Sequence, residues 1–248
     1  MAGTASSRRV ALVTGAARRI GAVIARRLHA AGYDVALHAR RSRAELAALI
    51  EELERTRASS TLALEADLGD AGVLPDLVNA SVARFGRLDA LVNNAAAFYP
   101  TPVGTATTAQ WDELLGTNAR APFFLAQAAA PHLAATNGAI VNIVDIYAEQ
   151  PLAGHAIYSM SKAALAAMTK ALARDLAPDV RVNGVAPGAI LWPDAGKNEA
   201  AQQALIERTP LKRTGSPDDI AGAVLWLLDA SFVTGEIVRV DGGRHLAS

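Results

Sequence analysis

The sequence predicts an α/β domain in which helices cover both faces of a mainly parallel, seven-stranded sheet. Short apolar runs alternate with longer, alanine-rich amphipathic stretches along all 248 residues. A strand that recurs after a helix needs a crossover connection, and such connections give a parallel sheet with helices on both faces. The chain contains no proline- or serine-rich linker and no internal repeat. We therefore predict one doubly wound domain over residues 1–248.

Each predicted strand is a short apolar run, and the stretch that follows most of them has the periodicity of an amphipathic helix. The predicted strands are 10–14, 34–39, 61–66, 89–93, 139–144, 180–186 and 236–240. The predicted helices are 20–31, 43–57, 72–85, 108–135, 158–177 and 217–228. The segment 188–209 has only weak periodicity. So long an irregular segment is uncommon in a compact domain, and we therefore interpret it as a substrate lid that can include short helices. The alternative is a surface insertion without a function.

The composition excludes several classes of protein. Lys+Arg and Asp+Glu number 24 each, so the chain has no overall basic field for nucleic acid or for an anionic membrane surface. The absence of cysteine excludes disulfides and thiolate metal sites, and none of the five histidines forms a pair at metal-ligand spacing. These patterns predict a protein without a metal site. The polar N-terminus and the lack of a long apolar run predict that the protein is soluble and cytoplasmic.

A glycine-bearing turn joins the first predicted strand to the first helix. Gly15 begins the turn and Gly21 lies in the start of the helix, an arrangement that lets backbone N–H groups approach a pyrophosphate. Arg19 stands where a second glycine of such a turn is expected. Arg18 and Arg19 at the positive end of a helix dipole favour a nearby anion, although ordinary solvated arginines are the alternative. The pattern predicts a Rossmann-type dinucleotide site.

The end of the second strand indicates which dinucleotide is bound. An acidic residue at this position selects NAD, whereas a 2'-phosphate requires cations. Arg40, Arg41 and Ser42 follow the strand, directly after His38 and Ala39, and therefore predict NADP(H). A solvated basic turn is the alternative. Asp67, which is followed by Leu68, closes the third strand and is either a partner for the adenine edge or a helix cap.

The predicted reaction site of the chain combines a carboxylate, a phenol and an amine. Tyr158 and Lys162 are four residues apart on a predicted helix, so both project from one face. An ammonium near the phenol favours its ionised form and lowers its pKa, which suits proton transfer to a carbonyl or imine. Asp145 precedes Tyr158 by thirteen residues. The alternatives are an amphipathic anchor for the tyrosine, a solvated lysine and a strand-end cap for the aspartate.

With these residues in hand, the chain resembles the short-chain dehydrogenase/reductase family over nearly its whole length. The matching segments include Thr14–Gly15 to Gly21, Asn93-Asn94-Ala95, Pro187-Gly188 and Asp241-Gly242-Gly243. The resemblance implies that Tyr158 is the acid/base, that Lys162 lowers its pKa and binds the nicotinamide ribose, and that Asn118 supports a proton relay. The implied cofactor contacts are Gly15, Arg18, Arg19, Ile20, His38, Arg40, Arg41, Ser42, Asp67, Leu68, Asn93, Ala95, Tyr158, Lys162, Pro187 and Gly188.

Two departures from the usual family pattern point to one branch. A typical member has a serine where Asp145 stands and a glycine where Arg19 stands. These residues, together with the segment that contains Phe98, resemble the pteridine reductases, which implies NADPH as cofactor and a pterin as the small-molecule substrate. The implied substrate contacts are Arg19, Phe98, Asp145, Tyr158, Leu191 and Trp192. Phe98 as plain core and Trp192 as a simple anchor of the lid are the alternatives.

Two other functions stay open on the sequence alone. The first is a generic short-chain ketone reductase that acts on an acyl thioester, a sugar or a steroid. The second is a non-catalytic NADP-binding sensor, against which the retention of Asp145, Tyr158 and Lys162 argues. Resemblance also implies a homotetramer, which would pack through the apolar helix at 219–228 and the strand before Asp241, although a helix buried within one chain would look the same.

Overall fold

Seven strands form one parallel sheet in a computed structural model that describes residues 8–192 and 199–247. The strands are β1 Val10–Val13, β2 Asp34–Ala39, β3 Thr61–Glu65, β4 Ala90–Asn93, β5 Ala139–Ile143, β6 Arg181–Pro187 and β7 Ile237–Val240. Their order across the sheet is β3-β2-β1-β4-β5-β6-β7, and every neighbouring pair is parallel. The predicted doubly wound fold with seven strands is confirmed, and the sheet is wholly rather than mainly parallel.

Eight α-helices cover the sheet in the described part of the chain. They are α1 Arg19–Ala30, α2 Arg43–Thr56, α3 Leu74–Phe85, α4 Thr108–Leu115, α5 Ala121–Ala134, α6 Ala156–Asp175, α7 Glu199–Arg208 and α8 Pro217–Asp229. Helix α7 lies within the predicted lid, where the sequence pattern is weakest. Residues 193–198 of that lid lie outside the described residues.

The single helix predicted over 108–135 is wrong, because the structure divides it in two. Helix α4 ends at Leu115, a π-helical turn spans Gly116–Arg120, and α5 begins at Ala121. The wide turn brings the side chain of Asn118 into the interior, where it bonds the backbone of Ala97. A π-turn within a helix often accompanies a functional site. Hydrophobic periodicity does not reveal it, because the apolar pattern continues through both helices.

The alternating side chains of the strands form a separate core on each face of the sheet. On one face, Val13, Val92 and Val141 pack with α1, α2 and α8. On the other face, Leu12, Leu91 and Ile140 pack with α3, α5 and the end of α6. The central strands are buried on both faces, which explains why their sequences are continuous apolar runs.

The topology defines where a ligand can bind. The chain builds outward from β1 to β3, then returns to the middle and builds outward from β4 to β7. The connections that leave β1 and β4 diverge at this point, and a crevice opens beyond the carboxyl ends of these two strands. The residues predicted for the site follow β1, β2, β3, β4, β5 and β6, so the parallel sheet brings them to one edge.

Candidate active site

The turn after β1 has no room for additional side-chain atoms. Gly15 has a φ of +63°, and a Cβ at this position would lie 2.9 Å from the Cα of Ala95. A Cβ at Gly21 would lie 2.1 Å from the carbonyl oxygen of Gly15. Contacts this short leave only glycine at both positions. The packing of the turn itself therefore requires both glycines, and both also line the cleft beside the predicted pyrophosphate site.

Two polar side chains hold this turn against the end of β4. The Nδ2 of Asn94 donates to the carbonyl oxygens of Thr14 and Gly15 at 2.9 and 3.0 Å. The Thr14 hydroxyl accepts hydrogen bonds from the backbone N–H groups of Asn94 and Ala95. The list of predicted site residues omits both Thr14 and Asn94. Both residues are sequence neighbours of predicted site residues, Gly15 and Asn93, and this was the only indication of a role in the site. Their hydrogen bonds to the backbone depend on the pairing of β1 with β4, which the sequence alone does not give.

Arg19 is unusual both in conformation and in contact. Its φ is +54°, a left-handed conformation that non-glycine residues adopt at a cost of about 1 kcal/mol or more. Its guanidinium donates to the carbonyl oxygen of Trp192 at 3.1 Å. The structure thus joins two residues that the sequence assigns to the substrate. It also explains why glycine is typical here, since glycine adopts this conformation without penalty.

His38 is buried beneath the turn and acts as a neutral support. Its Nδ1 lies 3.3 Å from the backbone nitrogen of Gly15, from which it accepts, so Nε2 carries the proton and donates to the carbonyl oxygen of Ala66 at 3.1 Å. Burial lowers the pKa of His38. The histidine therefore borders the predicted cofactor site without supplying a positive charge to it.

A cleft of about 560 Å³ extends from the turn to the ends of β2 and β3. It brings together eleven of the predicted cofactor residues. They are Gly15, Arg18, Arg19, Ile20, His38, Arg40, Arg41, Ser42, Asp67, Leu68 and Ala95. Arg40 lies 3.8 Å from a carboxylate oxygen of Asp67 and 3.7 Å from one of Glu113. The Arg41 guanidinium has no hydrogen bond or ion pair with any described residue, so its charge can bind an anion in the cleft.

Five other predicted cofactor residues do not line this cleft, and two of them, Tyr158 and Lys162, lie with Asp145 at the carboxyl end of β5. The side chain of Asn93 is buried and donates to the Oδ1 of Asn142 at 2.9 Å, below the carboxyl edge of the sheet. Pro187 ends β6, and Gly188 packs against Asp241, whose Cβ would lie 2.6 Å from a Cβ at position 188. The geometry gives Asn93 and Gly188 structural contacts, and their predicted contact with a cofactor stays a prediction.

Asp145, Tyr158 and Lys162 meet at the carboxyl end of β5. The Tyr158 hydroxyl donates to the Oδ2 of Asp145 at 2.7 Å, while Oδ1 accepts from the backbone N–H of Tyr147 at 2.9 Å. The Nζ of Lys162 donates to the carbonyl oxygen of Ile143 at 2.8 Å. The same Nζ lies 5.9 Å from the centre of the Tyr158 ring. One carboxylate thus accepts the hydrogen bond of the phenol, and the ammonium lies over the tyrosine ring.

These contacts correct the expected pKa of the tyrosine. We expected Lys162 to lower the pKa of Tyr158, but burial and the neighbouring Asp145 carboxylate raise it well above its usual value. Burial also raises the pKa of Asp145, against hydrogen bonds from Tyr147 and Tyr158. Burial lowers the pKa of Lys162 to about 8, against the attraction of Asp145. In this arrangement the phenol keeps its proton, and the lysine is the group that titrates near neutral pH.

Asn118 positions the helix that carries the tyrosine. Its Oδ1 accepts from the backbone N–H of Ala97 at 2.8 Å, and its Nδ2 donates to the Ser161 hydroxyl at 2.9 Å. Ser161 in turn donates to the carbonyl oxygen of Tyr158 at 2.7 Å. The amide thus links the segment after β4 to α6. Ser161 is a further residue that the predicted site omits, because its hydroxyl acts on the backbone and on Asn118.

An aromatic group forms the wall beside the tyrosine. Phe98 is 45 % exposed, so it is not plain core. The ring of Tyr158 meets Phe98 edge-on, with ring centres 4.7 Å apart, and His155 stacks on Phe98 with ring centres 4.9 Å apart. The predicted site omits His155. Leu191 is 40 % exposed, and Trp192 reaches the turn after β1 through its carbonyl group.

The described residues contain neither a metal-binding cluster nor a membrane-spanning helix. Within residues 8–192 and 199–247, no group of three or more His, Cys, Asp or Glu side chains could hold a metal ion. Every helix in the same part of the chain is too short or too polar to cross a membrane.

Comparisons with known proteins identify the family. The family model described as enoyl-(acyl carrier protein) reductase matches residues 15–245. Pteridine reductase 1 of Leishmania tarentolae is 37 % identical over 279 residues, covering 96 % of each chain. A putative ketoacyl reductase 2 of the granaticin polyketide synthase from Streptomyces violaceoruber is 38 % identical, covering 99 % of this chain and 100 % of the other. The 3-oxoacyl-(acyl-carrier-protein) reductase FabG of Staphylococcus aureus strain Mu50 is 35 % identical, covering 95 % and 98 %.

These relatives share a reductase chemistry and differ in the named substrate. The match to the family model covers the glycine turn, the tyrosine and lysine, and the C-terminal glycines. The chain belongs to the short-chain dehydrogenase/reductase family and is an oxidoreductase that uses a nicotinamide cofactor.

Proposed function

We propose that this reductase uses NADPH to reduce a C=N bond of a pterin, such as dihydrobiopterin, a related dihydropteridine or dihydrofolate. The observation that carries the proposal is the hydrogen bond of 2.7 Å from the Tyr158 hydroxyl to Asp145. A serine at this position would donate a hydrogen bond to a ketone oxygen. A carboxylate instead accepts hydrogen bonds, which suits a substrate that presents N–H donors and an amidine-like edge.

The shape of the site supports a flat, nitrogen-rich substrate. Phe98 leaves 45 % of its surface exposed beside the reacting tyrosine, and a planar bicycle can stack on such a ring. Arg19 contacts the carbonyl group of Trp192 and would supply donors for a ring oxygen or nitrogen. A simple ketone has neither N–H donors for the carboxylate of Asp145 nor a flat ring that could stack on Phe98.

NADPH is the cofactor that the cleft fits best. Gly15 and Gly21 line the cleft around the start of α1, where backbone N–H groups can bind a pyrophosphate. Arg40 and Arg41 border the cleft after β2 and would hold a 2'-phosphate, which an acidic residue there would repel. When bound, the nicotinamide supplies a hydride to the carbon of the C=N bond.

The side chains of this protein supply the proton for the adjacent nitrogen. Burial and Asp145 raise the pKa of Tyr158, so its hydroxyl carries a proton at neutral pH and gives it up only as the substrate nitrogen gains negative charge from the hydride. Asp145 accepts the hydrogen bond of the phenol, and because burial raises its pKa it can take up a proton from solvent and return one to the phenolate. The substrate gains one hydride at carbon and one proton at nitrogen. Lys162 holds the end of β5 and stabilises negative charge as Tyr158 loses its proton.

A spectrophotometric assay of NADPH consumption tests the proposal. The purified protein is mixed with dihydrobiopterin, dihydrofolate and an acetoacetyl thioester in separate reactions, and each reaction is repeated with NADH. We expect turnover of a dihydropterin with NADPH. Turnover of the thioester alone would contradict the pterin proposal.

An Asp145→Ser variant tests the observation that carries the proposal. The substitution replaces the carboxylate with the hydroxyl that family members usually have at this position. We expect kcat/KM for dihydrobiopterin to fall by a factor of about 100, as for the loss of a charged hydrogen-bond partner and a proton relay. Thioester reduction should stay the same or rise. Equal loss with both substrates would mean that Asp145 only supports the fold.

Reduction of a ketoacyl thioester is the second candidate, because relatives named as ketoacyl and 3-oxoacyl reductases are 35–38 % identical to this chain. The assay above separates the two directly. A non-catalytic NADP-binding sensor is the third possibility, and it would be favoured by tight NADPH binding without turnover of any substrate in the panel.

A further inference from the structure

A turn at the C-terminal end of the described chain packs beside the active site. Gly243 has a φ of +82° and leads into the short 3-10 helix Arg244–Leu246. The Asp241 carboxylate accepts from the backbone N–H groups of Gly243 and His245 at 2.9 and 2.8 Å. It also lies 2.7 Å from the Nδ1 of His245. One buried carboxylate therefore orders the whole turn.

Contacts to two neighbouring segments fix the position of this turn. The Nε2 of Gln150 donates to the carbonyl oxygen of His245 at 2.6 Å. Gln150 follows the 3-10 helix Ile146–Ala148, which Asp145 caps, and its own N–H donates to the carbonyl oxygen of Ile146. On the other side, Gly188 at the end of β6 packs directly against Asp241. The turn is thus held between the segments that follow β5 and β6.

Arg244 is the charged residue of this turn that has no partner of its own. Its side chain is partly buried, and it forms no hydrogen bond or ion pair with the residues at 8–192 and 199–247. Neighbouring arginines differ, since Arg239 pairs with Glu149 at 2.5 Å and Arg213 lies 3.6 Å from Asp219. The positive charge of Arg244 is close enough to act against the burial that raises the pKa of Asp145. A partly buried guanidinium without a partner loses part of its hydration and has no hydrogen bond or ion pair to replace it. A bound anion would supply that interaction.

We propose that Arg244 binds an anionic substituent of the substrate and makes the site selective for pterins that carry a carboxylate, such as dihydrofolate. This inference rests on the proposed function. The hydrogen bond from Gln150 to His245 holds the C-terminal turn against the segment that Asp145 caps, so a substituent that extends toward this turn from a ring held beside Asp145 and Tyr158 meets Arg244. A guanidinium binds a carboxylate through two parallel hydrogen bonds, whereas the neutral side chain of dihydrobiopterin offers no such group.

The test compares two substrates that share the ring and differ in charge. KM and kcat are measured with NADPH for dihydrofolate and dihydrobiopterin, using the native protein and the Arg244→Gln variant. We expect the variant to raise KM for dihydrofolate by a factor of about 10 to 100, the loss expected for a charged hydrogen bond. KM for dihydrobiopterin should change by less than about threefold. Arg244→Lys, which keeps the charge, should recover part of the loss. Arg213→Gln is the matched control, because it removes a charge from a residue near the same turn.

Equal changes for both substrates, or no change for either, would overturn the role of Arg244. Equilibrium binding of folate and biopterin to the NADPH-loaded Tyr158→Phe variant, with and without Arg244→Gln, gives a readout that does not need turnover. If the native protein reduces neither pterin, the proposed function fails. A selective loss of folate binding in the Arg244→Gln background would still support the carboxylate site, and equal binding would overturn it as well.

Discussion

The proton of Tyr158 is controlled by two neighbours of opposite charge. Asp145 accepts the phenolic hydrogen at 2.7 Å and favours the protonated form, while the ammonium of Lys162 lies 5.9 Å from the ring centre. The balance in this structure favours the neutral phenol. A neutral phenol has a proton to donate, and a substrate nitrogen that becomes strongly basic as the ring receives a hydride can take that proton despite the raised pKa of Tyr158.

Replacement of Tyr158 by phenylalanine tests the assignment of the acid. We expect Tyr158→Phe to reduce kcat by at least about 100-fold, because proton transfer by a positioned side chain contributes on that scale. The dissociation constant for NADPH, measured by fluorescence titration, should change little because the ring is retained. Full turnover by this variant would show that another group donates the proton.

Lys162 should make the stability of the cofactor-free protein depend on pH in a particular window. Its pKa is about 8 in the folded protein and 10.5 as the ordinary value. Between these values the unfolded chain retains a proton that the folded protein has lost, so stability increases as pH rises. Below pH 8 both states are protonated and the folded state carries the cost of a buried ammonium. The full difference is about 3 kcal/mol, as an order of magnitude.

The Lys162→Met variant isolates this effect, because methionine fills similar space without titrating. Urea unfolding of both proteins between pH 6.5 and 10 gives the difference in unfolding free energy. We expect the native protein to gain relative to the variant from about pH 8 upward. A difference that is flat over this range would contradict the lowered pKa of Lys162.

The residues of the chemical centre could be predicted from sequence because their types and spacing are specific. Asp145, Tyr158 and Lys162 come from adjacent segments, and the family pattern places each of them. The direction of the tyrosine pKa could not be predicted in this way. It depends on whether the ammonium approaches the hydroxyl or the ring, and on the depth of burial, neither of which spacing alone determines.

At the scale of elements, the strand and helix pattern was predictable wherever the apolar period was long and uninterrupted. The strands β1 to β7 match the predicted runs closely because buried parallel strands are continuous apolar segments. The interruption of the helix at Gly116–Arg120 was not predictable. It is stabilised by the contacts of Asn118 with Ala97 and Ser161, which lie far away along the chain.

The connection from β2 to α2 carries the expected preference for NADPH. Arg40 and Arg41 border the cleft, and replacing both with glutamine removes the charges that would pair with a 2'-phosphate. We expect the affinity for NADPH to fall by a factor of about 10 or more, and the affinity for NADH to stay unchanged. Titration of each dinucleotide against intrinsic fluorescence measures both values.

Arg43 provides the matched control for this experiment. It follows the same strand, but its Nε lies 2.6 Å from a carboxylate oxygen of Glu65 and it does not line the cleft. Arg43→Gln should therefore leave the affinity for NADPH nearly unchanged. A similar loss in Arg43→Gln would indicate a general electrostatic effect rather than recognition of the phosphate.

At the scale of the whole molecule, both edges of the sheet, at β3 and at β7, are unpaired in the described chain. Strand β7 has β6 as its only neighbour, and bare strand edges in stable proteins are commonly covered or paired. Helix α8 packs on α1 through its apolar side but leaves Trp226 52 % exposed, and Phe232 beyond it is fully exposed. We propose that these surfaces pack between subunits of a homotetramer.

A Trp226→Glu variant tests the tetramer. Placing a charge in an apolar subunit interface is expected to dissociate the assembly, because the buried carboxylate would have no partner. Light scattering after size-exclusion chromatography should give four chains for the native protein and fewer for the variant. Val103→Glu, which alters an exposed residue of the loop before α4, should leave the mass unchanged. A monomeric native protein would contradict the proposal.

The guanidinium of Arg19 spans the border between the two halves of the binding cleft. It starts from the turn beneath the expected pyrophosphate and ends on the carbonyl group of Trp192 in the substrate segment. The charge of Arg19 therefore borders both the expected cofactor site and the expected substrate site. A ligand bound at one site changes the electrostatic potential at the other. We expect this shared charge to couple the two binding steps, so that the dissociation constant of a pterin differs between the free and the NADPH-loaded protein and loses that difference in Arg19→Ala.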